Sequence, residues 1–274
     1  MRLNLSYLTL RFIRRRLPEN ITRYLLRRGM VIKPGMETRE PRQAALRYRD
    51  ALLEKGLSLE GKHVLVFGYG GRFAIGVELL RLGAGHVTLT DLFAPPDDRR
   101  NDYLWPEFSA YLTLVDGQVR PKDQYLTLLH GDIRTTAVDL AAQPLDGVVS
   151  TSVYEHLEDV DGITRALHST LKPGGFFIAY IDLRDHYFKL PFEMLCYPES
   201  TWTRWLNPTS NLNRYRVKDY RQVFNSYFPG IEMQVLERDI ENFRRAESRI
   251  RAEFKTGKEQ EDAVTQIRVM AVRD

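Results

Sequence analysis

Short apolar runs alternate with amphipathic segments through the middle of the chain. The apolar runs have strand length and occupy residues 63–67, 86–90, 125–129, 147–149 and 176–181. Between them, residues 73–82 and 163–171 carry apolar side chains at the three- and four-residue spacing of a helix face. Strands that alternate with helices predict a mostly parallel sheet with helices on both faces and right-handed crossovers. In such sheets, ligands bind at the carboxyl ends of the strands.

The two ends of the chain follow different patterns. Residues 231–236 and 266–272 are two further strand-like runs, which brings the predicted strands to seven and places an antiparallel pair near the C-terminus. Residues 1–56 are predicted to form a helical N-terminal extension, and residues 57–274 one α/β domain. Within that domain, residues 184–228 form an unusually long link, which predicts a cap insertion on the substrate side.

The predicted cap is rich in aromatic residues, and it also carries arginines and asparagines. Aromatic faces combined with amide and guanidinium donors suit the recognition of a sugar or a ring-bearing metabolite. The same aromatic side chains can instead form the hydrophobic core of the cap itself. The sequence favours this second interpretation, although both can hold at once.

Charge is unevenly distributed along the chain. Residues 1–50 contain 13 Lys or Arg and 4 Asp or Glu, so this segment carries more positive charge than the whole chain, whose net charge is +4. Such a segment is typical of a solvated, arginine-rich helical cap, and it would also suit an anionic membrane surface or an acidic partner. Nucleic acid is the least favoured partner, because no nucleic-acid-binding motif accompanies the charge.

Apolar patterning and cysteine content bear on location. No apolar run approaches the roughly 20 residues that span a bilayer, and the N-terminus lacks the features of a signal peptide. A single cysteine, Cys196, excludes an intramolecular disulfide and fits a reducing compartment. The sequence therefore predicts a cytoplasmic protein, either free or peripheral to the membrane.

A glycine-rich turn at residues 68–71 connects the first strand to the first helix of the domain. Glycine lets a ligand approach the backbone closely, and the N–H groups at the start of the next helix attract negative charge. The dinucleotide fingerprint requires a glycine at the sixth position, where this chain has Phe73. The Gly-Lys-Ser/Thr of a phosphate-binding loop is also absent.

Several motifs in order make residues 61–181 resemble the class I S-adenosylmethionine-dependent methyltransferases. They are residues 64–71, Asp91 at the end of the second strand, residues 131–133, residues 146–157 and residues 171–175. The resemblance implies a Rossmann-like fold and S-adenosylmethionine as the cofactor.

The resemblance also implies which residues hold the cofactor. Asp91 would accept hydrogen bonds from the ribose hydroxyls, and Asp132 from the adenine amine. The complete implied set is Phe67, Gly68, Gly70, Asp91, Leu92, Gly131, Asp132, Ile133, Ser150, Thr151, Ser152 and His156. Val66 and Arg72 depart from the first motif, at an acidic and a glycine position. The methionine amino group is therefore expected to meet a group near Ser150, while Arg72 pairs with the methionine carboxylate or faces solvent.

Methyl transfer is an in-line displacement that needs alignment of the acceptor and removal of its proton. Three residues after the fourth and fifth strands are predicted to be catalytic: His186 as the preferred base, His156 as the second candidate, and Asp182. Either Asp182 or Asp185 could orient His186. Alternatively, His156 shapes the cofactor pocket, and the segment around His186 is a structural loop. No metal is predicted to be required, although Asp182, Asp185 and His186 could together hold a divalent cation.

These features predict a methyltransferase that uses S-adenosylmethionine to methylate a hydroxyl oxygen of a small molecule or a glycan. Methylation of nitrogen or carbon remains open at this stage. One alternative is a non-catalytic partner subunit that binds the cofactor, and another is a membrane-surface scaffold that uses the basic N-terminus.

Overall fold

A twisted sheet of seven strands organises the fold. The computed structural model describes residues 4–16, 39–140, 143–186 and 190–274. The strands in these residues, which include two outside the large sheet, are β1 (His63–Phe67), β2 (His86–Asp91), β3 (Leu112–Val115), β4 (Gln118–Pro121), β5 (Leu126–His130), β6 (Leu145–Thr151), β7 (Leu171–Asp182), β8 (Glu232–Arg238) and β9 (Val264–Val272). The sheet order is β5-β2-β1-β6-β7-β9-β8, and β9 runs antiparallel to both of its neighbours. Strands β3 and β4 form a separate hairpin, which is not among the predicted strands.

Helices cover both faces of the sheet. They are α1 (Leu5–Arg16), α2 (Pro41–Leu53), α3 (Ala74–Arg81), α4 (Asp98–Asn101), α5 (Ile133–Leu140), α6 (Val160–Thr170), α7 (Glu199–Thr201), α8 (Val217–Asn225), α9 (Ile240–Ala246) and α10 (Glu259–Asp262). Successive β1 side chains enter opposite cores, with Val64 and Val66 packing on the α2 and α3 side and Leu65 on the α5, α6 and α8 side. This burial on both faces explains why β1 is an unbroken apolar run.

The strand order reverses beside β1. From β1 the chain moves outward to β2 and β5, and it then returns to pair β6 with the other edge of β1. In open α/β sheets, the carboxyl ends of strands at such a reversal frame the ligand cleft. The glycine turn follows β1 and the segment 150–157 follows β6, so both lie at this edge.

Most of the predicted elements are present, and the largest difference in a boundary is at the start of β7. β7 begins at Leu171 rather than at residue 176, because residues 173–175 continue the extended chain through an irregular step in its pairing with β6. Gly174 donates its N–H to the Arg273 carbonyl at 2.7 Å, which ties this step to the C-terminus. Gly29 and the two prolines that are predicted to delimit the N-terminal helices lie outside the described residues.

Aromatic side chains of the cap form a third hydrophobic core together with α1. Tyr7 stacks on Tyr197 with 5.7 Å between ring centroids, and Phe12 packs against Trp205 at 6.3 Å. Arg11 is fully buried in this interface, so its charge does not face solvent. No helix among the described residues combines the length and apolar character needed to cross a membrane. The division into an N-terminal extension and one domain stays a prediction.

His63, at the start of β1, makes the stability of the fold depend on pH. Burial, and then the nearby His86, lower the pKa of His63 from 6.5 to about 4. Between these two values the unfolded chain takes up a proton that the folded chain refuses, so stability falls as pH drops from 6.5 towards 4. We expect His63→Asn to flatten the decline of the melting temperature across this range. His130→Asn, at the exposed end of β5, is the control, and equal slopes in all three proteins would contradict the assignment.

Candidate active site

The glycine turn after β1 combines one tightly packed position with one open position. Gly68 has φ +85° and donates its N–H to the Thr90 carbonyl at 2.9 Å. A Cβ atom on Gly68 would lie 2.2 Å from Cγ2 of Val153, in the segment that follows β6. Gly70 has φ +63°, and a Cβ atom there would meet no atom within 4 Å. Gly68 therefore packs tightly against Val153, whereas Gly70 faces open space where a ligand can approach.

A buried asparagine holds the turn in place. Asn101 accepts a hydrogen bond from the Phe73 N–H at 2.9 Å and donates one to the Gly71 carbonyl at 3.0 Å. It belongs to the short helix α4, which lies far from the turn in sequence, so no local pattern predicts this contact. The backbone of the turn is thus fixed by the protein before any ligand binds.

Asp91 ends β2 directly beside the glycine turn. One of its carboxylate oxygens accepts the Gly70 N–H at 3.0 Å, and the other accepts the N–H groups of Phe93 and Ala94, both at 2.8 Å. The neighbouring side chains of Leu92 and Phe93 are 43% and 85% exposed, which is unusual for large apolar groups. A carboxylate that contacts the turn is therefore followed directly by two exposed apolar side chains.

The segment after β5 places Asp132 in an ion-pair network. The Arg134 guanidinium donates to both Asp132 oxygens, with Nε at 3.1 Å from each, and it reaches Asp159 at 2.8 Å. This fork lowers the pKa of the Asp132 carboxyl and keeps it ionised. Gly131 donates its N–H to the Asp91 carbonyl at 3.3 Å, and Ile133 is buried where α5 begins. Asp132 is thus a charged acceptor at the carboxyl edge of the sheet.

At the carboxyl end of β6, several of the predicted cofactor residues bond to the protein itself. The Ser150 hydroxyl donates to the Phe67 carbonyl at 3.0 Å, which ties β6 to β1. Thr151 shares a 2.6 Å hydrogen bond with the Tyr48 hydroxyl of α2. Ser152 has φ +54° and is exposed, so only its side chain among these three hydroxyls points to solvent.

Two histidines from different loops come together beyond the ends of β6 and β7. His156 donates from Nδ1 to the carbonyls of Ser210 at 2.9 Å and Asn211 at 2.8 Å, which leaves the lone pair of the neutral ring on Nε2. The Asn211 amide returns a hydrogen bond to the His156 carbonyl at 3.0 Å. The ring of His186 packs edge-on against His156, with 4.9 Å between centroids.

A buried carboxylate completes this group. Glu155 is only 4% exposed, and neither of its oxygens has a hydrogen-bond partner among the described residues. The backbone N–H groups of Glu155 itself and of Asp182 favour the charged carboxylate, but more weakly than burial disfavours it. Burial, and then the charge of Asp182, raise the pKa of Glu155 well above its ordinary value. One ligand atom each of Glu155, His156 and His186 lie within 4.8 Å of one another, and we call these three residues the His–Glu cluster.

Both carboxylates predicted to orient His186 are bound to arginines. Asp182 accepts a forked pair of hydrogen bonds from Arg184, including Nε at 2.9 Å and Nη2 at 2.7 Å. Asp185 is fully buried and bonds to the guanidinium of Arg11 and the hydroxyl of Tyr7, both from α1. The structure therefore brings His156 and His186 together but does not assemble Asp182, Asp185 and His186 into one ligand set.

Val66 and Arg72, the two residues that depart from the family's first motif, belong to the part of the predicted pocket that would hold the methionine group of the cofactor. Val66 is buried in the core beneath the sheet and does not reach the cleft. Arg72 is half-buried at the start of α3. Tyr69, the largest side chain in the turn, is also buried, and burial followed by the charge of Asp91 raises its pKa to about 12.

Residues 80–179 match the family model described as a methyltransferase domain. The matched segment runs from α3 to β7 and includes Asp91, Asp132, Glu155 and His156. This match covers 100 of the 274 residues, and it supports a class I S-adenosylmethionine-dependent methyltransferase. The mostly parallel seven-stranded sheet of the chain confirms the Rossmann-like fold that the resemblance implies.

Solved structures of methyltransferases are similar to this chain. A Galdieria sulphuraria protein described as a sarcosine dimethylglycine methyltransferase is 14% identical, with 93% of this chain and 98% of that chain covered and a TM-score of 0.50. An S-adenosylmethionine-dependent methyltransferase from Mesorhizobium loti is 17% identical, with 82% and 96% covered and a TM-score of 0.44.

A third methyltransferase, from Haloferax volcanii, was solved in a complex with the Trm112 activator. It is 19% identical, with 87% of this chain and 92% of that chain covered and a TM-score of 0.47. A comparison with curated protein sequences gave no significant match. At these identities, the similarity concerns the fold alone.

Proposed function

We propose that this methyltransferase transfers the methyl group of S-adenosylmethionine to a hydroxyl oxygen of a small-molecule or glycan acceptor. The observation that supports it is the position of the His–Glu cluster. Its residues follow β6 and β7 at the same edge of the sheet as the glycine turn. A hydroxyl acceptor has to lose its proton, and imidazole is the side chain best suited to that task near neutral pH.

The cofactor would lie across the glycine turn. In this arrangement Gly70 allows the backbone to approach the ligand, and Asp91 turns its carboxylate from the Gly70 N–H towards the ribose hydroxyls. The exposed faces of Leu92 and Phe93 cover the adenine, and Asp132 accepts a hydrogen bond from the adenine amine while it remains paired with Arg134. Covering these two apolar side chains removes surface from water, which favours binding.

Methyl transfer then proceeds in line. The acceptor oxygen forms a bond to the methyl carbon as the carbon–sulfur bond breaks, and the bonding electrons stay on sulfur in S-adenosylhomocysteine. The acceptor proton leaves at the His–Glu cluster. Some aromatic residues of the cap lie outside its hydrophobic core, and we propose that they contact the acceptor. The half-buried Tyr215 is one of them.

Binding and transfer are tested in sequence. Isothermal titration with S-adenosylmethionine and S-adenosylhomocysteine first measures cofactor affinity. Tritiated cofactor is then incubated with panels of phenols, sugars and amines, and labelled products are identified by mass spectrometry and NMR. We expect label on oxygen. The absence of cofactor binding at millimolar concentration would contradict the cofactor assignment, whereas label on nitrogen or carbon would contradict the proposed acceptor group.

We expect His186→Asn to lower kcat for the labelled acceptor by about 100-fold or more, the usual size of a proton-transfer contribution. The affinity for S-adenosylhomocysteine should stay within about threefold of wild type, because His186 is not among the residues proposed to hold the cofactor. His130→Asn is the matched control and should leave both values unchanged. A His186→Asn enzyme with unchanged kcat would remove His186 from the reaction.

A further inference from the structure

We propose that Glu155, His156 and His186 form a binding site for a divalent transition-metal ion, with Zn²⁺ as the expected occupant. Among the residues that the structure describes, this is the one group of three or more His, Cys, Asp or Glu side chains close enough to share a cation. Its binding needs neither cofactor nor acceptor. Only the catalytic role given to the ion below rests on the proposed function.

The unpartnered carboxylate is the first observation. An ionised carboxylate that is buried without hydrogen bonds is strongly disfavoured, so such groups are either protonated or neutralised by a cation. The charged group that acts most strongly on Glu155 is another carboxylate, Asp182, which increases the penalty. Arg184, the nearby positive group, is already forked onto Asp182. A cation between Glu155 and the two imidazoles would satisfy both carboxylate oxygens.

The orientation of His156 is the second observation. Its Nδ1–H is held by two backbone carbonyls, so the neutral form of the ring has its basic lone pair on Nε2. Histidines that bind metals almost always donate their other N–H to a carbonyl or carboxylate in this way. The loop that provides the carbonyls is itself anchored, because the Asn211 side chain bonds back to the His156 carbonyl. The ring is therefore oriented before any ligand arrives.

The donor set selects the class of ion. Two imidazoles and one carboxylate are the protein ligands of catalytic zinc sites and of other first-row divalent metals, whereas Mg²⁺ and Ca²⁺ prefer oxygen donors. Donors bound tetrahedrally to one Zn²⁺ at about 2.0–2.2 Å lie about 3.3–3.6 Å apart. The present spread, which is within 4.8 Å, therefore has to contract by about 1.2–1.5 Å at most, which is roughly 0.7 Å for each of two side chains.

Three protein ligands leave a coordination position open, and this gives the site a role in the proposed reaction. A hydroxyl oxygen bound to the ion loses its proton to water at a much lower pH than a free hydroxyl does. The resulting alkoxide then attacks the methyl carbon, and sulfur leaves with the electron pair. When the ion is bound, His156 and His186 act as ligands and not as bases, so the ion takes over from imidazole in activating the acceptor hydroxyl.

Metal binding is tested first on the full chain without cofactor or acceptor. After treatment with a chelator and its removal, equilibrium dialysis against Zn²⁺ with elemental analysis should give one ion per chain. We expect Glu155→Gln to weaken Zn²⁺ binding by roughly 100-fold, in line with the loss of one ligand. Glu158→Gln, three residues further along and exposed, should bind as wild type does. Equal Zn²⁺ affinity in both variants and wild type would overturn the proposal.

A measurement on the wild-type chain covers the case in which Glu155→Gln does not fold. Co²⁺ bound at the cluster should show the intense visible absorption of a four- or five-coordinate ion, and one equivalent of Zn²⁺ should abolish it. His63→Asn, which removes the other closely spaced histidine pair, should leave the spectrum unchanged. A spectrum identical to that of Co²⁺ in buffer would refute the site. A positive metal result with no methyl transfer would leave the site standing and count against the proposed function alone.

Discussion

Gly68→Ala should abolish cofactor binding and destabilise the protein, whereas Gly70→Ala should weaken cofactor binding with a much smaller loss of stability. At Gly68 the new Cβ atom would lie 2.2 Å from Val153, in a backbone conformation that L-residues avoid. Strain and overpacking together cost about 3 kcal/mol, which lowers the melting temperature by roughly 5–10 °C. At Gly70 only the conformational cost of about 1 kcal/mol applies, because the methyl group meets open space.

Gly174→Ala is the matched control for the second variant. Gly174 has φ +76° and no atom within 4 Å of an added Cβ, and it lies near the start of β7, away from the glycine turn. It should therefore lose the same stability as Gly70→Ala while keeping wild-type cofactor affinity. We expect Gly70→Ala to raise the Kd for S-adenosylhomocysteine roughly tenfold, or about 1.4 kcal/mol. Equal Kd values in these two variants would show that the ligand does not cross the turn at Gly70.

The parallel part of the fold is predictable from sequence because its signal is local. Strands buried on both faces appear as unbroken apolar runs, and β1 occupies the predicted residues 63–67. The β3–β4 hairpin is missing from the prediction because its strands have only four residues each. The local signal that marks it is the two-residue turn Asp116-Gly117 between Val115 and Gln118, with positive φ at both turn residues. The start of β7 is missed because Pro173 and two glycines are typical of a turn but here lie in extended chain.

The candidate site is predictable at single positions but not in its connections. Asp91, Asp132 and His156 follow strands, and the topology of a parallel sheet then places them at one edge. Asn101 holds the glycine turn from a separate short helix, a contact that depends on tertiary packing. The burial of Glu155 is equally invisible in sequence, because a glutamate beside a histidine is usually solvated.

Arg11→Met should release α1 from the cap. Arg11 and Asp185 form an ion pair with both side chains fully buried, and Tyr7 of α1 adds a hydrogen bond to the same carboxylate. Removing one partner leaves the other charge buried without its counterion, which typically costs about 3–5 kcal/mol. Hydrogen exchange of residues 5–12 should accelerate strongly. Unchanged exchange would show that other contacts hold the helix.

Two controls show whether the loss of stability comes from leaving the Asp185 charge buried without its counterion. One removes an exposed ion pair, and the other removes both buried charges. Arg245→Met removes an ion pair with Glu241 whose side chains are 68% and 76% exposed, and it should change stability by less than about 1 kcal/mol. Arg11→Met combined with Asp185→Leu removes both buried charges, and it should restore much of the protection of α1, because an apolar pair can replace a buried ion pair at little cost. Activity provides a separate test, since Asp185 precedes His186. If the double variant regains protection but not methyl transfer, the ion pair positions His186 in addition to anchoring the helix.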